Sequence, residues 1–354
     1  MTARLADLRF TALTALGLAL FPLLFHPLGG YSGLATQIVI VSIATIGFNL
    51  LLGYAGMLSY GHAMFYGGGG YVAAILLMQV MPAHPNLWIA VGAATVATSI
   101  LALVIGAVTV RLYGIYFALV TLAFAQMIFF IVEQAKQWTN GDDGLQNFPA
   151  AMMPLGGWTI DLSTPLPAAD LGPFGNLSDV HLWYVFSAAA LVLVLLGTRV
   201  LVRSQFGEVL AAIRENEERS TLIGLNAAAY RLAVFAISGA LAGFSGALRA
   251  LYDGTVAVEA LGIERSGAFV VYTIIGGVQT VFGPVIGTGI IIYLENVLSA
   301  KTGAWRLIEG LIFVAVIVFL PSGVVGTFAK QQARRARALL ARSLQSGVPA
   351  RPES

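Results

Sequence analysis

The sequence contains no cysteine. Disulfides, zinc–thiolate sites, iron–sulfur clusters and cysteine nucleophiles are therefore excluded. Charge is scarce as well: 10% of the 354 residues are Asp, Glu, Lys or Arg, against about 25% in soluble domains. Hydrophobic residues make up 58%, more than one soluble core can hide. These shortages exclude an ordinary cytosolic enzyme, a disordered protein and a DNA-binding domain, and leave an integral membrane protein. There is no Gly-x4-Gly-Lys-Ser/Thr phosphate loop, so the chain does not bind ATP by that route. His-Glu-x-x-His, Gly-x-Ser-x-Gly and paired-carboxylate constellations are missing too. No catalytic residue, cofactor, metal or nucleic-acid partner is expected.

The placement of the few charges organises the chain. From Phe10 through Val110 there is none. A membrane helix needs about 20 apolar residues, so four spans fit: Phe10–Phe25, Leu34–Leu52, Ala63–Val80 and Trp88–Val110. A fifth runs over Leu112–Val132. Residues 133–182 are net acidic and rich in Pro and Gly, and read as an outer loop. A sixth span covers Trp183–Val202, a charged stretch follows from Arg203 to Arg231, and a seventh covers Leu232–Leu248. Residues 266–294 are uncharged but broken by Gly276-Gly277 and Gly283-Pro284, which predicts two short spans meeting at a glycine-rich turn. The last span is Leu307–Leu320, and a basic tail occupies 330–354.

The positive-inside rule puts Arg4, Arg9, Arg111, the Arg203–Arg231 stretch and the tail in the cytoplasm, and the acidic loop outside. Both termini then lie inside, which requires an even number of crossings. The fold expected is an all-α polytopic bundle of about ten spans, with residues 1–329 as the transmembrane domain. The N-terminal run lacks a small-x-small cleavage site, so an uncleaved first helix is favoured over a signal peptide. Each set of five spans holds one glycine-rich break and the two sets begin on opposite sides, an inverted five-plus-five plan used by transporters.

Three segments carry functional signals. In Gly53–Tyr71, seven of nineteen residues are glycine. Glycine lets helices approach closely, and broken backbone at membrane depth must be covered by protein or line a cavity. The polar residues Asn49, Ser59, His62, Thr121, Gln126, Ser238, Ser245 and Thr273 fall within or beside spans. Asn49, Ser59, His62 and Gln126 are the candidates for a solute path; bonding to their own helix backbone is the plainer role. In Arg203–Asn226, Leu210, Ile213, Leu222 and Ile223 mark one side of a short helix pair. Arg214, Glu215, Glu217, Glu218 and Arg219 mark the other. A structured amphipathic loop on the cytoplasmic face favours docking of a partner over a merely solvated loop.

Asn49–Tyr71, Arg111–Ala125, Thr139-Asn-Gly-Asp-Asp-Gly-Leu145, Phe206–Asn226 and Gly276–Gly287, in that order and over residues 30–326, resemble the branched-chain amino acid ABC transporter permease family. The resemblance implies a bacterial inner-membrane subunit. Its implied partners are cytoplasmic ATPase subunits, a second related permease subunit, a periplasmic substrate-binding protein and membrane lipid. It also implies that Gly207, Glu208, Arg214, Glu215, Asn216 and Gly224 sit at the ATPase interface. The outer loop departs from the family in detail. Relatives carrying urea, short amides or aromatic acids leave the solute open, and an ion-coupled carrier or a channel for a small neutral solute are the competing classes. Proton- and sodium-driven carriers bury functional acids, whereas Glu295 and Glu309 lie near span ends.

Overall fold

The computed structural model describes residues 30–155, 158–167, 179–320 and 322–327, with residues 14, 16–18, 20–22 and 25 ahead of them. Half of the expected first span at Phe10–Phe25 falls outside this set. The basic tail at 330–354 lies wholly outside it.

Long uninterrupted apolar runs fold as helices, because in hydrocarbon every backbone group must be satisfied within the segment. Helix α1 (Ser32–Asn49) continues into a π-turn at Leu50–Tyr54. Helix α2 (His62–Ile75) ends in a second π-turn at Leu76–Val80. Helix α3 (Leu87–Thr109) is N-capped by Asn86, whose side chain accepts from the Trp88 and Ile89 amides at 3.0 and 3.3 Å. Next come α4 (Ile115–Gln134), the single turn α5 (Lys136–Thr139) and α6 (Leu182–Arg203). Two short helices follow, α7 (Gln205–Glu215) and α8 (Glu217–Leu222), then the long α9 (Ala227–Asp253). Helices α10 (Ile263–Gly276), α11 (Gly283–Ser299) and α12 (Trp305–Phe319) complete the described bundle. Seven of the described helical segments are long and apolar enough to cross a membrane. Residues 266–294 do split into two helices at the glycines.

Helix α1 is apolar on all sides and nearly every residue is buried, as a central helix should be. It packs against α9, α6, α11 and α10. Hydroxyls fasten it there: Ser245 and Ser238 of α9 donate to the Ile40 and Gly47 carbonyls at 2.6 and 2.5 Å, and Thr288 of α11 donates to Thr45 at 3.0 Å. Helix α9 lies against α2 and α3 along small residues. A Cβ at Gly246 would strike the Tyr66 carbonyl, one at Gly243 the Thr98 side chain, and one at Gly69 the Gly243 backbone. Such approach gives the packing on which membrane helices depend. Helix α3 exposes Ile89, Val96, Ile100, Val104 and Val108 on one stripe, and α12 exposes Leu307, Leu311, Val314 and Val318. These stripes suit lipid.

The bundle has two distinguishable ends. At the acidic end, the Met152 amide donates to the Pro85 carbonyl at 2.9 Å, and strand β1 (Leu145–Gln146) pairs antiparallel with β4 (Thr255–Val256). Strands β2 (Met152–Leu155) and β3 (Trp158–Asp161) form a hairpin. The described part of this segment is therefore built rather than loose, with its Leu145, Phe148, Ala151 and Leu162 buried. At the charged end, α7 and α8 lie beside the α3–α4 turn and the start of α9. Helix α9 begins at Ala227, so the last residues of the expected charged loop, Arg231 included, are helical.

Candidate coupling site and broken-helix junction

The turn from α6 into α7 is sharp. A Cβ at Gly207 would collide with the Val202 carbonyl, so only glycine fits this corner. Phe206 stacks near Tyr230 of α9 with ring centroids 5.4 Å apart. Leu210 and Ile213 then face the bundle and are buried. Asn216 breaks the pair with extended backbone and caps α8 by accepting from the Arg219 amide at 2.8 Å. Gly224 ends α8 at φ +91°, which favours glycine.

Glu217 ties α8 down. It takes the Tyr113 hydroxyl at 3.0 Å and pairs with Arg231 at 3.3 Å. Arg231 also donates to the Val110 carbonyl at 3.1 Å and lies 4.7 Å from the Tyr113 ring centre. The hydrogen bond to Glu217 raises the Tyr113 phenol above its ordinary pKa, with a smaller contribution from burial. The phenol therefore stays protonated and donating. Glu217 is therefore not on the solvated face with Glu215 and Glu218, and the opposite charges at 217 and 231 are the trace of this pairing in the sequence.

Three further side chains lie elsewhere than the helical periodicity predicts. Leu222 and Ile223 are 87% and 73% exposed, not on the buried side with Leu210 and Ile213. The break at Asn216 turns α8 out of the α7 helical phase, so one periodicity does not span both. Arg214 turns inward instead of outward: its Nη1 donates to the Gly53 carbonyl at 2.6 Å. Glu208, Glu215 and Asn216 are exposed, as is Gly224, whereas Gly207 is buried.

Gly53 belongs to the first glycine-rich break, and that break touches the second. Asn49 Nδ2 donates to the Thr280 carbonyl at 2.9 Å, and the Gln279 amide donates back to Asn49 Oδ1 at 3.2 Å. The Tyr54 hydroxyl donates to the Gln279 carbonyl at 2.9 Å. Gln279 sits at φ +68°. A Cβ at Gly53 would lie 2.9 Å from the Gln279 nitrogen. The second break is itself tight, since a Cβ at Gly276 would strike the Gly283 carbonyl and one at Gly287 the Tyr272 carbonyl.

The remaining candidates are placed as follows. Helix α2 starts at His62 beside Ser238, near the midpoint of α9. Because the Ser238 hydroxyl donates to Gly47, its oxygen accepts from His62 Nε2 at 2.7 Å. His62 Nδ1 is buried without a hydrogen-bond partner among the described residues. Ser59 is buried and accepts from the Gly61 amide at 3.2 Å. Ser266 of α10 accepts from the Ala63 amide at 2.9 Å, satisfying one free amide of the α2 start. Gly61 abuts the Thr121 carbonyl of α4, and Gln126 is half-buried further along that helix.

The sequence profile of the family described as "Branched-chain amino acid transport system / permease component" matches residues 30–321. The chain belongs to this family. It is 24% identical over 304 residues to the high-affinity branched-chain amino acid transport system permease protein LivM of Salmonella typhimurium, covering 84% of this chain and 70% of that protein. The Escherichia coli K12 LivM is 25% identical over the same shares. The E. coli K12 LivH permease protein is 22% identical over 296 residues, 80% of this chain and 91% of that one. No solved structure matches. The matched range contains the α7–α8 pair and both breaks, and it stops before the basic tail. The protein is thus a multi-pass membrane permease subunit, and the sequence-level resemblance identified the right family.

Proposed function

We propose that this permease is one membrane subunit of an ATP-binding cassette importer that takes up branched-chain or related amino acids across the bacterial inner membrane. A periplasmic binding protein delivers the solute, a second related permease completes the pathway, and cytoplasmic ATPase subunits drive the cycle. The observation that carries this reading is the α7–α8 pair. It projects an apolar tip, Leu222 and Ile223, into solvent while Glu217 and Arg214 hold it to the bundle. A rigidly mounted apolar knob with an acidic surround fits a partner-docking surface. Glu208, Glu215, Asn216 and Gly224 form its exposed rim. Gly207 and Arg214 shape and anchor it.

The topology that accompanies this reading is ten spans with both termini cytoplasmic. The charged end faces the cytoplasm and the acidic end the periplasm. The two breaks meeting at Asn49 and Gln279 support an inverted repeat. The solute path is assigned to the seam between the irregular 55–61 segment and α4, where Gly61 meets Thr121, with Gln126 as a polar side chain on that helix. Ser59 and His62 brace the wall of the seam from within.

Uptake of labelled leucine tests the solute class. A strain lacking this gene loses uptake, the complemented strain regains it, and unlabelled isoleucine or valine competes. Unchanged uptake in the absence of a redundant leucine system contradicts the solute assignment and directs the search to urea, short amides and aromatic acids.

A further inference from the structure

We infer that Arg214 is a positioning residue that passes movement of the α7–α8 pair to both glycine-rich breaks at once, through the Gly53 carbonyl and the Asn49 clamp. This inference rests on the proposed importer reading and names how the docking pair acts on the membrane helices.

Three features carry it. First, Gly53 lies in the π-turn that closes the α1 segment, where the last carbonyls of a helix lack intrahelical partners and carry the negative end of its dipole. Arg214 supplies a charged donor there at 2.6 Å, from a helix 161 residues away in sequence. Its stem also crosses Gly56, which sits at φ +70°; a Cβ there would lie 2.7 Å from the Arg214 Cγ. The guanidinium is thus bonded to the π-turn while its stem packs on Gly56 just beyond it.

Second, the π-turn that Arg214 holds is joined to the other break by reciprocal bonds. Asn49 uses its amide donor on Thr280 and its acceptor on Gln279, and Tyr54 takes the Gln279 carbonyl. The strands of chain so joined are Leu50–Tyr54 and the 277–282 turn. A shift of Gly53 therefore cannot leave Gln279 in place without breaking bonds at both. π-turns interrupt the regular ladder of a helix and recur at functional sites. Gln279 is held in a left-handed conformation that glutamine seldom adopts, so the turn is over-determined by its surroundings.

Third, the pair has a separate attachment of a different kind. Glu217 fixes α8 to Tyr113 and to Arg231, which itself donates to the Val110 carbonyl at the end of α3. That anchor lies on the far side of the Asn216 break from Arg214. Rotation of the pair about the Glu217 anchor moves Arg214, and with it Gly53.

The test uses the full complex of this permease with its ATPase and second permease subunits, in lipid nanodiscs and proteoliposomes. The permease has no native cysteine, so Val281→Cys gives one thiol on it beside the second break, read on the permease band. The unmodified background is expected to change thiol-labelling rate between the nucleotide-free and ATP-trapped states. In Arg214→Ala, and in the near-isosteric Asn49→Asp, the rate becomes insensitive to nucleotide. Solute moved per ATP hydrolysed falls roughly tenfold, within the range of coupling changes for a single linking residue. Both readouts are taken on complexes that co-purify and hydrolyse ATP. Arg214→Lys restores part of the coupling because charge is kept but the planar fork is lost. If Arg214→Ala does not assemble, Asn49→Asp decides by the same two readouts. Nucleotide-dependent labelling that survives in the assembled variants overturns the inference while leaving the importer reading intact. No ATP-driven uptake even in the background overturns the importer reading and the inference together.

Discussion

At the residue scale the informative groups are those that bond backbone far away in sequence. Asn49 satisfies the Gln279 amide and the Thr280 carbonyl. Asn49→Ala strips a partner from both; an unmet group costs about 1–3 kcal/mol when fully buried, and less at these part-buried sites. The midpoint of thermal unfolding in detergent should fall by several degrees; an unchanged midpoint would show that the clamp contributes nothing. Asn49 itself was legible in the sequence as a polar residue inside an apolar run, but its partner was not. Nothing local marks a contact spanning 231 residues. His62 was legible in the same limited way. Its ring is enclosed by Phe48 and Phe65 edges at centroid distances of 5.1 and 5.6 Å, and its bond to Ser238 follows from tertiary packing alone.

At the element scale, helix existence could be read and helix use could not. The uncharged stretch from Phe10 to Val110 announces its spans, and α3 starts where Asn86 supplies a cap. The α7–α8 pair was visible as an amphipathic stretch, yet Leu222 and Ile223 were phased wrongly because Asn216 interrupts the helix with extended backbone. The small strands at the acidic end are too short to show a period of their own, and β1 finds its partner at Thr255–Val256. The glycine count in Gly53–Tyr71 foretold close packing, which occurs where Gly69 and Tyr66 meet α9. Gly246→Leu drives a side chain into the Tyr66 carbonyl. Overpacking of this kind costs about 1–3 kcal/mol or more, and because a Cβ alone already strikes that carbonyl, size-exclusion chromatography should show reduced folded yield for Gly246→Ala as well as Gly246→Leu. Equal yields of the two variants with wild type would mean that α2 and α9 are not held as tightly as their backbones suggest.

The same scale sets the docking prediction. Glu208→Lys reverses charge on the exposed face of α7, and Gly224→Trp places a bulky side chain at a left-handed position beside the apolar tip. Both should lower uptake while the permease remains folded, because neither site faces the bundle. ATPase co-purification and uptake measured together check this. Normal uptake in both variants would remove α7–α8 from the docking role.

At the scale of the whole molecule, the fold places a rigid central helix between two interrupted segments. Around it run helices whose outer stripes suit lipid. Membrane character followed from composition alone, and family membership followed from the order of several modest motifs over most of the chain. Solute identity did not follow from either, since the polar groups near the breaks are spent largely on internal bonds. A weakly polar lining would fit a permease fed by a binding protein, since the membrane pathway then need not bind the solute tightly.

The most direct test is transport in proteoliposomes holding this permease with its co-expressed permease and ATPase partners. Loaded binding protein is supplied outside the vesicle in the orientation that presents the ATPases to the ATP-containing side. The account predicts concentrative leucine uptake that requires ATP, resists an uncoupler and is lost in Glu208→Lys. Uptake that proceeds without ATP and collapses with the uncoupler would contradict it and identify an ion-coupled carrier instead.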